Sequence, residues 1–294
     1  MKPDQRFAKQ GKPFWACVRS LSQKLGYTVR GKGRIKVHTV LQMRKGFVDL
    51  GLNPTAICDE KGKPTQLASL LHDYFQFRAE VLETIAAKKL MNVTQARALF
   101  EQYSREFQPK RKPPMNKQKG DKKAPAFLTS LVNMLVEHHS KGADCDYDPR
   151  ALTTVTKGGI PLRTLARRVD GAFPNAVNPV AIWEIKEYYY TTTFGSRVAD
   201  GVYETLLDGL ELEELRDSEN VDIKHYLIVD DHNTWWNMGR SYLCRIVDML
   251  HMGYVDEVLF GSEVVDEMPR IVGEWIALAK KRTDRGAADP PAHL

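Results

Sequence analysis

The chain has 294 residues, 43% of them hydrophobic, and a formal net charge of +6, which leaves room for one large domain or two ordinary ones with real cores. No apolar run nears the length of a membrane span, residues 1–6 are polar, and Cys17, Cys58, Cys145 and Cys244 stand far apart without metal-ligand spacing. These features exclude a membrane-spanning helix, a disulfide framework and a zinc site, and they predict a cytoplasmic protein with no membrane partner.

The charge is unevenly spread. Residues 1–124 carry 26 Lys and Arg against 10 Asp and Glu, and the remainder 17 against 27. The basic half is a candidate polyanion binder, and the acidic half suits a catalytic unit that attracts divalent cations.

Taken in order, residues 14–25 have helical periodicity. Residues 30–47 open on a basic, glycine-punctuated stretch in which Arg30, Lys32, Arg34 and Lys36 are candidate contacts to phosphates or guanine edges. Residues 14–50 read either as a helix-turn-helix or as a helical hairpin with a basic loop. Leu67, Leu70, Leu71, Tyr74, Phe75, Val81, Leu82 and Ile85 predict a helix over 65–90, and Ala98, Leu99 and Tyr103 another over 94–107, each opened by a threonine cap. Residues 1–108 are thus a predicted helical DNA-recognition domain. Residues 109–125 hold four prolines and a run of lysines with almost no apolar side chain, the composition of an extended linker that either follows a DNA backbone or acts as a bare spacer.

A second domain is predicted over 126–283. Residues 126–139 form an amphipathic helix, with Phe127, Leu128, Leu131, Val132 and Leu135 buried and Glu137 near its end. Residues 165–173 read as a short strand containing Asp170, and the turn formers of 174–179 join it to a second strand, 180–190, as an antiparallel hairpin. Next come a helix over 197–212 on Val198, Val202, Leu206 and Leu210, a strand over 225–229, a helix over 241–252, a strand over 257–260, a helix over 269–281 and a loose tail, 284–294. Strands alternating with helices argue for an α/β (α+β) fold, a mixed central sheet flanked by helices.

Within the apolar strand Val180-Ala-Ile-Trp-Glu-Ile-Lys, Glu184 and Lys186 are two apart and share a face. Burying both ions costs several kcal/mol each, on the order of magnitude for isolated charges, unless they are paired, metal-bound or in a cleft. The hairpin brings Asp170 beside Glu184, and two carboxylates with a lysine make a hard oxygen site for Mg2+. The same acid-x-Lys spacing at Asp59/Lys61, Asp121/Lys123 and Asp222/Lys224 lacks an apolar strand around the acid, so context selects Glu184. Tyr188 and Tyr190 share the Glu184 face by alternation, and with Ser196, Arg197 and the hydroxyls of 191–193 they are candidate phosphate contacts. Asp230-Asp231-His232 at the end of the next strand is a rival acidic site, or a helix cap, and Trp235-Trp236 behind it are core or interface residues. No P-loop, GxGxxG or GxSxG motif occurs, so no nucleotide cofactor is expected.

Asp170 and Glu184-Ile-Lys186, preceded by an acidic helix at Glu137 and followed by a helix from Ser196, resemble the PD-(D/E)xK nuclease superfamily, in the layout of a type II restriction endonuclease. The likeness covers the second half of the chain and departs at Val169, where the pattern's name has proline. It implies a restriction-endonuclease-like fold, a cofactor of Mg2+ or another divalent ion such as Mn2+ held by Asp170 and Glu184, and catalysis by Lys186 acting on the attacking water, with Glu137 joining the metal or water network. It further implies double-stranded DNA as substrate, a homodimer matched to a palindromic site, and a prokaryotic cytoplasm. The alternatives are a structure-specific or repair nuclease and a non-catalytic DNA-binding protein.

Overall fold

The computed structural model describes residues 1–116, 119–120, 123–190 and 195–288. Its first part contains helices α1 (Gln5–Ala8), α2 (Lys12–Leu25), α3 (Val40–Asp49) and α4 (Gln66–Val81), with a hairpin of β1 (Thr28–Val29) and β2 (Arg34–Ile35) between α2 and α3. A helix-turn-helix needs a tight turn of roughly three or four residues. The intervening hairpin removes that possibility, and α2 and α3 instead pack with α4 around Leu21, Met43, Phe47, Tyr74 and Phe75. Thr65 caps α4, which continues through a π-helical turn (Leu82–Ala86) into α5 (Ala87–Lys89).

Helix α6 (Val93–Phe107) starts at Asn92, not at Thr94, because Asn92 and Gln95 cap each other's backbone in a capping box. Read from sequence with the first domain, α6 in fact lays Val93, Leu99, Phe100 and Tyr103 against the core around α7 (Phe127–His139). Spacing revealed that the helix had an apolar face, but not which neighbour would cover it.

The remainder is a mixed α+β unit. A hairpin of β3 (Thr154–Lys157) and β4 (Ile160–Thr164) precedes a four-stranded sheet ordered β5 (Gly171–Phe173), β6 (Ala181–Glu187), β7 (Lys224–Asp230), β8 (Glu257–Phe260). β5 is antiparallel to β6, while β6, β7 and β8 are parallel. Parallel neighbours need crossovers, and these are α8 (Ser196–Glu219) and α9 (Arg240–His251) on one face of the sheet. α7 and α10 (Glu263–Ala288) cover the other, where Trp183 stacks on Trp275 at 5.0 Å.

Several elements differ from the sequence reading in extent or in buried face; α8 runs on to Glu219 and β6 stops at Glu187. Only 171–173 of the strand expected over 165–173 pair as β5, because the preceding residues are held by α8. The buried stripe of α8 runs Val198, Val202, Thr205, Asp208, Gly209, Leu212, while Leu210 is exposed and Leu206 only half-buried. α10 begins six residues before the expected start, takes Pro269 into its interior and includes 284–288, expected to be loose; 289–294 lie outside the described residues.

A buried ion pair ties the first unit to the second. Arg78 of α4 donates to both carboxylate oxygens of Asp248 on α9, at 2.9 and 3.0 Å, and Tyr74 donates to Asp248 at 2.5 Å. Both charged residues are almost fully withdrawn from solvent.

Candidate functional site

The β5–β6 pairing sets the site. Gly171 stands opposite Trp183, and a Cβ on Gly171 would lie 1.9 Å from the indole ring, so only glycine lets β5 approach. One residue earlier, Asp170 N–H donates to Trp183 O at 3.1 Å and its Oδ2 accepts from Ile185 N–H at 2.7 Å. Asp170 is thereby fixed beside Glu184, as the hairpin reading predicts.

Glu184 and Lys186 point together from β6 toward α8 and are both buried, Glu184 completely. Lys186 Nζ lies 2.9 Å from Glu184 Oε2 and 2.8 Å from Glu204 Oε2. Three residues that spacing did not single out complete the cluster. Arg167 Nη1 sits 2.9 Å from Glu184 Oε1 and 2.6 Å from Asp208 Oδ2, and its Nη2 lies 3.2 Å from Glu204. Arg167 is delivered by the 163–167 segment, which is anchored to α8 through Arg163–Glu214 and through Ala166 N–H donating to Glu211. Glu204 and Asp208, four apart on α8, share a face. Asp208 had a readable signal: like Glu184, it is an acid inside an apolar stripe.

Four carboxylates and two cations leave this cluster net negative, and the surroundings strain it further. Burial, then Glu184, pushes the Asp208 carboxyl up to about 7. Desolvation of the carboxyl by the surrounding protein, then Glu184, pushes Asp170 up to about 6, although the residue as a whole is exposed. Burial opposes the charge on Lys186, but Glu184 and Asp170 outweigh it and hold the ammonium above its usual range. Among the described residues Glu184 Oε1 and Asp208 Oδ1 are buried without a hydrogen bond; the 2.9 Å approach of Arg167 to Glu184 Oε1 is an ionic contact with poor hydrogen-bond geometry. Among the described residues no group of three or more His, Cys, Asp or Glu is gathered closely enough to cage a metal ion.

The cluster opens on a cleft of about 930 Å³. Asp170, Lys186 and Glu204 line it with Ser130, Asn133 and Glu137 of α7 and with Arg111 and Lys112 of the proline-rich stretch. The described part of that stretch is therefore a cleft wall: Lys110 N–H donates to Glu137 at 3.2 Å, and Arg111 lies over the Tyr147 ring at 4.1 Å. Glu137 shares the cleft, but no hydrogen bond or ion pair joins it to Asp170 or Glu184 among the described residues.

Of the other expected contacts, Tyr188 is on the Lys186 side, donating to Arg197 O at 3.3 Å and packing on Trp235. Tyr190 is not. The strand ends at Glu187, alternation lapses, and Tyr189 and Tyr190 both pack on the α7 face. Ser196 and Arg197 are exposed at the start of α8, and Arg197 lines the cleft; residues 191–193 lie outside the described residues, as does Asp121. Arg30, Lys32 and Arg34 are exposed on the β1–β2 hairpin, but the Lys36 ammonium is occupied by Leu25 O at the end of α2, at 2.6 Å.

The rival acids are structural. Asp230 Oδ1 accepts from Met91 N–H at 2.6 Å and Asp231 N–H at 2.9 Å, while Oδ2 takes the Tyr189 hydroxyl. Asp231 caps the next turn through Thr234 N–H at 2.8 Å, and Trp235 is fully buried.

Fold and cleft together define a mixed α+β protein with a buried carboxylate–lysine–arginine cluster beneath an open groove. Residues 91–275 match DUF7687, a domain of unknown function, and residues 1–85 match DUF7690, also a domain of unknown function. The first of these spans more than half of the chain, which belongs to the DUF7687 family. No curated protein and no solved structure matches the chain.

Proposed function

We propose that this protein is a divalent-metal-dependent endonuclease acting on double-stranded DNA, with a restriction-endonuclease-like second unit. The observation that carries the reading is the meeting of Asp170, Glu184 and Lys186 at one cleft, with Asp170 and Lys186 on its wall and Glu184 buried directly behind them, from a hairpin in which the acid-x-Lys strand is buried. The mixed sheet, with one antiparallel strand beside three parallel ones, is consistent with that architecture.

The donor set fits a hard cation. Mg2+ keeps several waters and needs only one or two protein carboxylates, and Glu184 Oε1 is a buried oxygen without a hydrogen bond among the described residues, beside an Asp170 carboxyl whose proton affinity is raised by burial and by Glu184. Asp170 and Glu184 would hold the ion, Mg2+ or Mn2+, which when bound stabilises negative charge on the phosphate. Lys186 acts as an ammonium, since its neighbours favour the charged form; it offsets charge on the scissile phosphate and orients water, and deprotonation of that water falls to another group. Arg167, itself held by Asp208, holds the Glu184 carboxylate in place. A second copy of the chain would present a second cleft to the opposite strand of a palindromic site.

Long duplex DNA incubated with wild-type protein and with Lys186→Ala, in Mg2+ or in EDTA, followed by end-sequencing, tests this. Discrete fragments sharing a short palindrome, absent in EDTA and in the variant, are expected. Cuts placed at junctions or lesions would favour a repair nuclease, and binding without cutting under every divalent metal would leave a DNA-binding protein alone.

A further inference from the structure

The β1–β2 hairpin does not stand by itself. Its tip residue Gly33 has φ +62°, and a Cβ there would lie 3.3 Å from the guanidinium of Arg240, at the start of α9. Glycine thus lets a side chain of the acidic unit rise against the basic hairpin. The Arg240 guanidinium lies over the Trp236 ring at 4.7 Å; among the described residues its hydrogen bonding is limited to a long contact with Asn237 O at 3.4 Å, and its Nε has no partner there. Farther along α9, Arg245 is held between the rings of Tyr27 and Tyr242, at 4.7 and 4.8 Å. Tyr27 immediately precedes β1.

Arg30, Lys32, Arg34, Arg240 and Arg245 form no ion pair with a carboxylate among the described residues. One carboxylate, Glu83, reaches the hairpin, where it accepts from Ile35 N–H at 2.9 Å; the five cations outnumber it and repel one another, and a polyanion relieves that repulsion while releasing its own counterions. The rings matter too: a guanidinium resting on an aromatic face is already oriented, and its planar fork matches a phosphate in two hydrogen bonds. The strip is also joined to the catalytic strand. Trp235, next to Trp236, donates its indole N–H to Lys186 O at 3.2 Å and packs on Tyr188 at 5.6 Å.

We propose that the β1–β2 hairpin and the Trp236–Arg245 face form one continuous strip that grips the phosphate backbone of the same duplex whose scissile phosphate enters the cleft. This rests on the nuclease reading for the cleft, but it assigns duplex binding to residues of both units, Arg240 and Arg245 included, that the catalytic cluster does not use. Backbone gripping supplies register and affinity, not base identity.

The test measures fluorescence anisotropy of a short labelled duplex with the full chain in EDTA, where cutting is blocked, across about 50–200 mM salt. Wild type is compared with Arg240→Ala, with the exposed hairpin variant Arg30→Ala/Arg34→Ala, and with Arg240→Lys, each checked for an unchanged thermal midpoint. Each lost cation should weaken binding about 3- to 10-fold and flatten the plot of log affinity against log salt by about 0.9, while Arg240→Lys keeps the slope. If wild type binds and cuts but the variants match its affinity and slope, the strip is overturned and the nuclease reading stands. Strip-dependent binding with no cutting in any divalent metal supports the strip and overturns the nuclease. Polyglutamate displacing the duplex as well as unlabelled duplex does would overturn the assignment of the ligand as DNA, as would absence of duplex binding by the wild type.

Discussion

Two groups of buried acids lie on neighbouring strands, and they are satisfied in opposite ways. At the end of β6 and β7, Glu187 and Asp230 are answered by the backbone: Glu187 Oε2 accepts from Leu128 and Thr129 N–H at 2.7 and 3.1 Å, capping α7, whose own N-cap residue Ala126 offers no side-chain acceptor. Asp230 binds the chain at Met91 and the Tyr189 hydroxyl in the same manner. Three residues earlier on β6, Glu184 is answered by two cations and keeps an oxygen free of hydrogen bonds. Burial alone therefore does not distinguish a working carboxylate from a structural one. Partner type does more: amide donors tie a carboxylate oxygen to the chain, whereas ion-paired oxygens can exchange one positive partner for another, and Asp170, which gives Oδ2 to an amide, keeps Oδ1 for such an exchange.

That contrast is open to attack by substitution. The largest effect is expected at Asp170→Asn: cleavage should fall by about a thousandfold or more, an effect of the size seen when a transition-state charge stabiliser is lost, while urea denaturation should show no loss of stability, since the folded state already disfavours the charged form. A variant that cuts normally would move the site elsewhere. Asp230→Ala should behave in reverse, losing about 2–4 kcal/mol in urea because two backbone N–H groups and a tyrosine hydroxyl lose their acceptor, with the folded fraction cutting at the wild-type rate; impaired cutting by fully folded protein would erase the distinction. The smallest effect concerns pH. Burial raises Asp230 from its ordinary 3.8, and Glu187 from 4.5, to about 7. Such groups hold protons in the folded chain that the unfolded chain has released, so their contribution is complete below about pH 4 and is lost as pH rises through 7. The urea stability of wild type should therefore decline relative to Asp230→Asn between about pH 5 and 8, by roughly 1–3 kcal/mol; a gap that widens in favour of wild type with rising pH would contradict the burial argument.

The strand carrying Glu184 and Lys186 was legible because its chemistry violates its own pattern: ions at alternate positions in an apolar run are visible without coordinates, and the turn formers of 174–179 point to the upstream aspartate. Arg167 was not legible. It sits in irregular chain, where no periodicity assigns a direction, and its role depends on Arg163 and Ala166 being anchored to a helix some fifty residues later. Asp208 was half legible, lost because Leu206 and Leu210 suggest a stripe slightly rotated from the real one. The join between β1–β2 and α9 was beyond reach, since its members come from opposite ends of the sequence and only Gly33 bears a local mark of the contact.

The Arg78–Asp248 pair carries a consequence for inheritance. The segments recognised as two families meet across a charge from each, and replacing either ion by an apolar residue within the closed interface would strand the other in an apolar interior, at about 3–5 kcal/mol. Neither piece can be exchanged for an unrelated neighbour unless that neighbour brings the complementary ion to the same spot. The two halves are therefore constrained to descend together as one module, whatever boundary sequence comparison draws between residues 85 and 91.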